Sequence, residues 1–380
     1  MMAPQITELS QDEDTNILTF TIKNIDVSLA NAIRRVILAE IPTIVFRTYP
    51  YEENKTNIIV NTCRFNNELI KQRLSCIPIH IKVSDFPIDD YIIQLDVKNT
   101  TDNIIYVTTD DFKIKNIIND TYLSQEQRRE IFPPNKITND YIVLARLRPQ
   151  ITQEIPGEHL KFESKLDYGH AKENGSFNVV STCYYTNTSD KVKVNQVWNE
   201  KEKELQRKNT DLDEINSIKH DWLHVDSKRI FIPNSFDFTI KTIGIFTNMD
   251  IVNKACNIIL NKLETFKNNI LTDEELIEKS NVTINNCFDI KLINEDYTLG
   301  KIIEYMLYYS HYTFTENNGV SDKKITFCGF KKPHPHVNES IIRVAFVDDI
   351  EKPIVVTYIT NAIENAKKIY EKILLDFPNN

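Results

Sequence analysis

Two stretches of the chain change from a two-residue to a helical hydrophobic period in the same way. In the first, Leu18, Phe20 and Ile22 alternate with polar residues, and Leu29, Ala32, Ile33, Val36 and Ile37 then recur at helical spacing. In the second, Phe288, Ile290 and Leu292 alternate, and Leu299, Ile302, Ile303, Met306 and Leu307 follow. Alternation predicts a half-buried strand, and recurrence at i, i+3 and i+4 an amphipathic helix. A constant offset of 270 residues superposes the two, bringing Asn24 onto Asn294, Asp26 onto Asp296, Ser28 onto Thr298 and Leu29 onto Leu299. Ser28 and Thr298 stand where an N-cap hydroxyl is expected. Pro42 is expected to end the first helix just after Ile41.

Each copy continues into a strand and a second amphipathic helix. The strands are read at Phe236 to Gly244 and Ile341 to Val347. The helix stripes are Val252, Ala255, Cys256, Ile259, Leu263 and Phe266, and Ile359, Ala362, Ile363, Ala366, Tyr370 and Ile373. A sheet covers only one side of two such helices, so their remaining apolar surface needs a partner, and the repeat supplies one on the same chain. The expected fold class is α+β: two pseudo-twofold-related units of antiparallel sheet plus two helices, clasped through an intrachain four-helix interface. Leu29, Ala32, Ile33, Val36, Ile37, Leu299, Ile302, Ile303, Met306, Leu307, Ala362, Ile363 and Ala366 are its expected residues.

The first unit is discontinuous, read as residues 1–48 and 230–268. A β-rich insert at 49–229 has strand-like runs at Ile88 to Val97, Ile104 to Val107, Tyr141 to Leu147, His159 to Leu166 and Phe177 to Tyr185. Residues 269–286 read as a short helical connector with Thr272 and Glu275 as a capping box, and 287–380 as the second unit. The charged run Asn199 to Glu214 reads as a solvated helix or linker.

With 380 residues, 41% of them hydrophobic and 26% charged, the chain has room for two or three cores. No run approaches the roughly 18 apolar residues of a membrane helix, so no membrane association is expected. The acidic opening MMAPQITELSQDEDT is unlike a secretory signal, which points to a reducing, intracellular compartment. Its six cysteines are widely spaced without a CxxC pair and read as free buried thiols. A net charge of −9 disfavours direct phosphate contacts, so any link to nucleic acid is expected to be indirect. The seven glycines form neither GxGxxG nor a Walker loop.

Candidate chemistry is sparse. His220 and His224 share one helical face in a pattern that resembles HExxH, but Asp221 replaces the glutamate and no third ligand is indicated. His334 and His336 alternate with prolines in a rigid turn. The pairs Asp89 and Asp90, Asp110 and Asp111, and Asp348 and Asp349 would point to opposite faces of a strand. No catalytic residues and no metal site are assigned. Arg34 and Arg35 lie off the apolar stripe, and their counterparts at the offset are Glu304 and Tyr305, so the two units present unlike outer surfaces.

Residues 26–47, DVSLANAIRRVILAEIPTIVFR, resemble the signature helix of the α-like subunits of multisubunit RNA polymerases. That family includes bacterial α, archaeal D and L, and the third and eleventh subunits of polymerase II. Asn67-Glu-Leu-Ile-Lys-Gln-Arg-Leu-Ser-Cys-Ile-Pro-Ile79 is similar to its EF-x-x-x-RLG-x-IPL segment. Ala145-Arg-Leu-Arg-Pro149, Gly157-Glu158 and Gly169-His-Ala-Lys172 resemble later strands of its insert. From Asn294 through Phe327-Cys-Gly-Phe-Lys-Lys-Pro-His-Pro335 to Arg343-Val344 the chain looks like the eleventh-subunit type. Ser75 replaces the usual glycine of the RLG segment, Glu173 stands where tryptophan is frequent, and the clustered cysteines of metal-binding relatives are missing. The resemblance therefore implies a fused, non-catalytic assembly platform without cofactor, whose partners are the largest and second-largest polymerase subunits and other small subunits. It implies that Arg34 and Arg35 face the second-largest subunit and Glu304 and Tyr305 the largest. Fusion is similar to what large nucleocytoplasmic DNA viruses encode, which implies viral transcription in the host cytoplasm and presence in the virion. A free-standing pseudo-dimeric adaptor and a metal-dependent enzyme using His220 and His224 are the alternatives.

Overall fold

A computed structural model describes residues 3–81, 87–152, 154–208, 211–312 and 324–377. Their helices are α1 (Val27–Ala39), α2 (Asn67–Ser75), α3 (Gln125–Ile131), α4 (Lys191–Arg207), α5 (Leu212–His224), α6 (Asn248–Thr272), α7 (Tyr297–His311) and α8 (Lys352–Asp376). They divide between two compact units, one of residues 1–37, 182–241 and 248–380, the other of 38–181 and 242–247.

The first compact unit contains both copies of the repeat. One sheet has the spatial order Gln5–Asp12, Ile17–Lys23, Phe231–Thr242, Val180–Ser189, and the other Ile277–Lys279, Cys287–Ile293, Glu339–Phe346, Ile325–Lys331. In both, the strand before the first helix runs antiparallel to the strand before the second. Phe20 lies opposite Phe238, and Ile290 opposite Ile342. Asn24 and Asn294 hold left-handed backbone, with φ of 61° and 59°. Asparagine tolerates that conformation, which turns strand into helix at the same point of each copy. The pattern of buried and half-buried positions in 29–37 recurs residue for residue in 299–307.

The caps differ from expectation. Asp26 Oδ1 accepts from the Ser28 N–H at 2.8 Å, and Asp296 Oδ1 from the Thr298 N–H at 3.0 Å. The aspartates therefore take the N-cap role assigned above to Ser28 and Thr298, because each carboxylate reaches an N–H two residues on and favours the positive helix end. α1 stops at Ala39, two residues short of Ile41, as the residue before proline avoids helical backbone.

The connector is not a helix. α6 runs on to Thr272, whose hydroxyl donates back to the Asn268 carbonyl at 3.0 Å, while Asp273 caps a single 3₁₀ turn, Glu274–Leu276. Ile277–Lys279 then joins the second sheet, where Ile277 faces Ile290 and is buried. Burial of that isoleucine outweighs the local helical signal.

α4 and α5 form a hairpin inserted between the strands Val180–Ser189 and Phe231–Thr242, closed at its base by Asp190 N–H donating to the Ile230 carbonyl at 3.2 Å. Trp198 and Trp222 pack 5.4 Å apart between them, with Val194 and Ile215. The lysines cross over, Lys201 onto Trp222 and Lys219 onto Trp198. Most of the charged run Asn199 to Glu214 is thus solvated helix, although 209–210 lie outside the described residues.

The second compact unit holds a five-stranded sheet in the order Thr56–Asn61, His159–Lys165, Tyr91–Lys98, Lys113–Asn116, Thr121–Tyr122. The rings of Phe46, Phe112, Phe132 and Phe162 meet in its core at 5.2 to 6.3 Å. Its boundary corrects the expected insert of 49–229, since residues 182–229 pack with the other unit. The cause lies in the strand Val180–Ser189, where Tyr185 packs on Phe236 and Phe238 at 5.2 and 5.3 Å.

Ser75 and Glu173, two of the departures noted above, both find local partners. Ser75 closes α2 by donating to the Gln72 carbonyl at 2.7 Å. Glu173 accepts from the buried Arg47 at 3.1 Å. That guanidinium also donates to Asp167 at 2.6 Å and Glu53 at 3.2 Å, which offsets the cost of burying its charge.

Candidate functional site: the paired helices

Every apolar residue assigned to the interface is at most 2% exposed, on α1, α7 and α8 alike. The helices come from different copies of the repeat, and named bonds join them. The Tyr370 hydroxyl on α8, itself fully buried, donates to the Leu29 carbonyl on α1 at 3.2 Å. Phe377, just past α8, meets Phe20 edge-on at 5.0 Å, so the last helix of one copy ends against the first copy's sheet. Ala362 and Ala366, one turn apart, keep the α8 face low and admit close approach.

α6 and α8 join through a reciprocal device. Lys267 donates to Glu364 at 2.6 Å, and Lys367 donates to Glu264 at 2.7 Å. The same E-x-x-K spacing on both helices makes each lysine answer the other helix's glutamate. These residues were not singled out in the sequence, although Glu264-Thr-Phe-Lys267 and Glu364-Asn-Ala-Lys367 carried the signal. Beside them Lys262 donates to Glu295 at 3.1 Å.

At α1 and α7 the pairing is antiparallel. Arg35 Nε donates to the Thr298 hydroxyl at 2.8 Å and Nη2 to Asp296 Oδ2 at 3.2 Å, so a side chain read as facing outward reaches across to the other copy. Arg34 Nε bonds Asn31 of its own helix at 3.0 Å. Glu304 pairs with Lys301 one turn back. The Tyr305 hydroxyl is pushed up to about 12 by burial, with the Asp26 charge adding to it. Gly300 lies where a Cβ would overlap the Phe330 ring, so a side chain there would displace that ring from α7.

The remaining candidates stay scattered. His220 and His224 lie with ring centroids 4.4 Å apart, tilted by 60°, on an exposed face, and among the described residues no group of three or more His, Cys, Asp or Glu is placed to hold a metal. His334 Nδ1 accepts the His336 N–H at 3.1 Å, which is turn chemistry. Asp89, Asp90, Asp110 and Asp111 occupy 3₁₀ turns rather than strands. All six cysteines are free, but Cys76 is exposed and Cys63 and Cys328 are half-buried, against the expectation that all are buried. Among the described residues no helix is long and apolar enough to cross a membrane.

A family model described as the RNA polymerase Rpb3/Rpb11 dimerisation domain matches residues 19–263. The DNA-directed RNA polymerase subunit Rpo3 of Pyrococcus furiosus is 25% identical over 287 residues, covering 70% of this chain and 97% of that protein. The DNA-directed RNA polymerases I and III subunit RPAC1 of Homo sapiens is 27% identical over 217 residues, or 51% and 58% of the two chains. Its Dictyostelium discoideum counterpart is 28% identical over 195 residues, 46% and 50%. The chain belongs to the Rpb3/Rpb11 dimerisation family of RNA polymerase subunits.

Proposed function

We propose that this chain is the assembly platform of a DNA-directed RNA polymerase, with both members of the family's dimer carried on one polypeptide. The observation that supports it is the clasp itself. The matched residues supply α1 and α6, and α7 and α8, which answer them through Arg35, Tyr370 and the reciprocal lysines, follow on the same chain. In this reading the second copy is the eleventh-subunit type, and covalent linkage replaces a bimolecular pairing step with an intramolecular one. The chain contributes no catalytic group and meets nucleic acid only through its complex.

Arg34, Glu304 and Tyr305, all half-buried, are the proposed contacts to the two largest subunits, and other small polymerase subunits are further proposed partners. Arg35 is withdrawn from that set, because its guanidinium is committed to the clasp. The proposed source is a large nucleocytoplasmic DNA virus, with transcription in the host cytoplasm and carriage in the virion. Co-purification from the native source tests the function. Recovery with two very large chains bearing polymerase activity is expected. Recovery alone or with small partners only would favour the adaptor, and metal in the purified protein with activity lost in His224→Ala would favour the enzyme.

A further inference from the structure

The twofold relation between the copies is broken at one place. Asp296 and Thr298, at the start of α7, receive Arg35 from α1. Their equivalents at the start of α1 are Asp26 and Ser28, and the residue equivalent to Arg35 is Tyr305. A carboxylate and a hydroxyl are thus set out twice with the same backbone turn and the same cap bond, while this chain sends a cation to only one of them. Among the described residues no lysine or arginine pairs with Asp26, and Arg34 on the same helix is bonded to Asn31. Tyr305 makes no hydrogen bond to Asp26 in its place.

We propose that Asp26 and Ser28 receive an arginine from a partner polypeptide, in the position that Arg35 fills on the other copy. Arginine rather than lysine fits, since the filled site uses two nitrogens of one fork, one on the hydroxyl and one on the carboxylate. The flanking chemistry agrees. The Asp26 charge adds to the effect of burial in raising the Tyr185 and Tyr305 hydroxyls, so the carboxylate lies near two tyrosines. The filled site keeps 38% of the Arg35 side chain and 29% of Asp296 exposed, and Asp26 and Ser28 are likewise only half-buried, so an outside side chain has access. The partner's identity as a large polymerase subunit rests on the function proposed above; the slot does not.

Two measurements on the full-length chain decide it. Tyr305→Arg places an internal arginine against Asp26, and thermal unfolding should shift up by about 2–4 °C, a gain that vanishes in an Asp26→Asn background, where the cap is retained. No gain, or a gain that survives Asp26→Asn, overturns the slot. Against the co-expressed two largest subunits from the same source, Asp26→Asn should weaken binding about tenfold by removing the acceptor. Wild-type binding by Asp26→Asn overturns the partner's arginine. Failure of the unaltered chain to bind those subunits removes the polymerase reading and this partner together, and the thermal cycle alone then judges the slot.

Discussion

The Tyr370 hydroxyl reaches from the last helix of the chain to the Leu29 carbonyl in the first, a bond of 3.2 Å between residues with no exposed surface. It joins the two copies of the repeat at the depth of the interface, where water cannot replace it. Tyr370→Phe keeps the ring and removes the bond. Urea unfolding should show a loss of about 1 kcal/mol, with an unchanged denaturant slope.

The reciprocal lysines give a test of the pairing of α6 and α8. Lys267→Glu alone, or Glu364→Lys alone, sets like charges together and should cost about 0.5–1 kcal/mol, since both groups remain partly solvated. The double exchange restores that pair but sets like charges beside Glu264 and Lys367 along each helix, so it should recover part of the loss. Additive losses in the double-mutant cycle would mean that the pair contributes nothing.

Ile33 is fully buried on α1. Ile33→Ala should lower stability by about 2–5 kcal/mol through lost burial and the cavity left behind. Ile33→Asp should abolish folding, because an unpaired charge cannot remain there. Circular dichroism and soluble yield report both.

Arg35→Glu bears on the clasp before it bears on any partner. The substitution sets a glutamate against Asp296 and removes the donor to Thr298. A lower melting temperature in the isolated chain is expected, with the deficit shrinking at high salt as the repulsion is screened. An unchanged melting temperature would return Arg35 to the outer surface.

Acid should weaken the second sheet through Asp289. The Arg343 fork donates to both its oxygens at 2.6 Å, and these bonds hold its carboxyl below the usual value of 3.8 against the opposing effect of burial. A carboxylate with a lowered folded pKa stabilises the fold fully above its unfolded range, and that contribution is lost as pH falls through the folded value. The stability difference between the unaltered chain and Asp289→Asn should therefore be constant near neutrality and shrink below about pH 4.

Most of the architecture was legible because its signals are local and doubled. The alternation of Leu18, Phe20 and Ile22, the stripe from Leu29 to Ile37, and their recurrence 270 residues later each restrict backbone period and buried face. The insert boundary was not legible, because a strand such as Val180–Ser189 has the same pattern whichever sheet it joins. Nor was the connector, where Thr272 and Glu275 satisfied a capping rule that the burial of Ile277 overrode.

The sequence by itself determined that the chain carries two strand-helix units with unequal exteriors, and that each leaves an apolar helix face in need of cover. Tertiary structure alone decided how that cover is made: aspartates rather than hydroxyls cap the helices, Arg35 turns inward to Asp296, and Lys267 and Lys367 exchange glutamates. Periodicity fixes which side of a helix is buried, whereas the choice of partner for a long charged side chain depends on which helix end is brought within its reach.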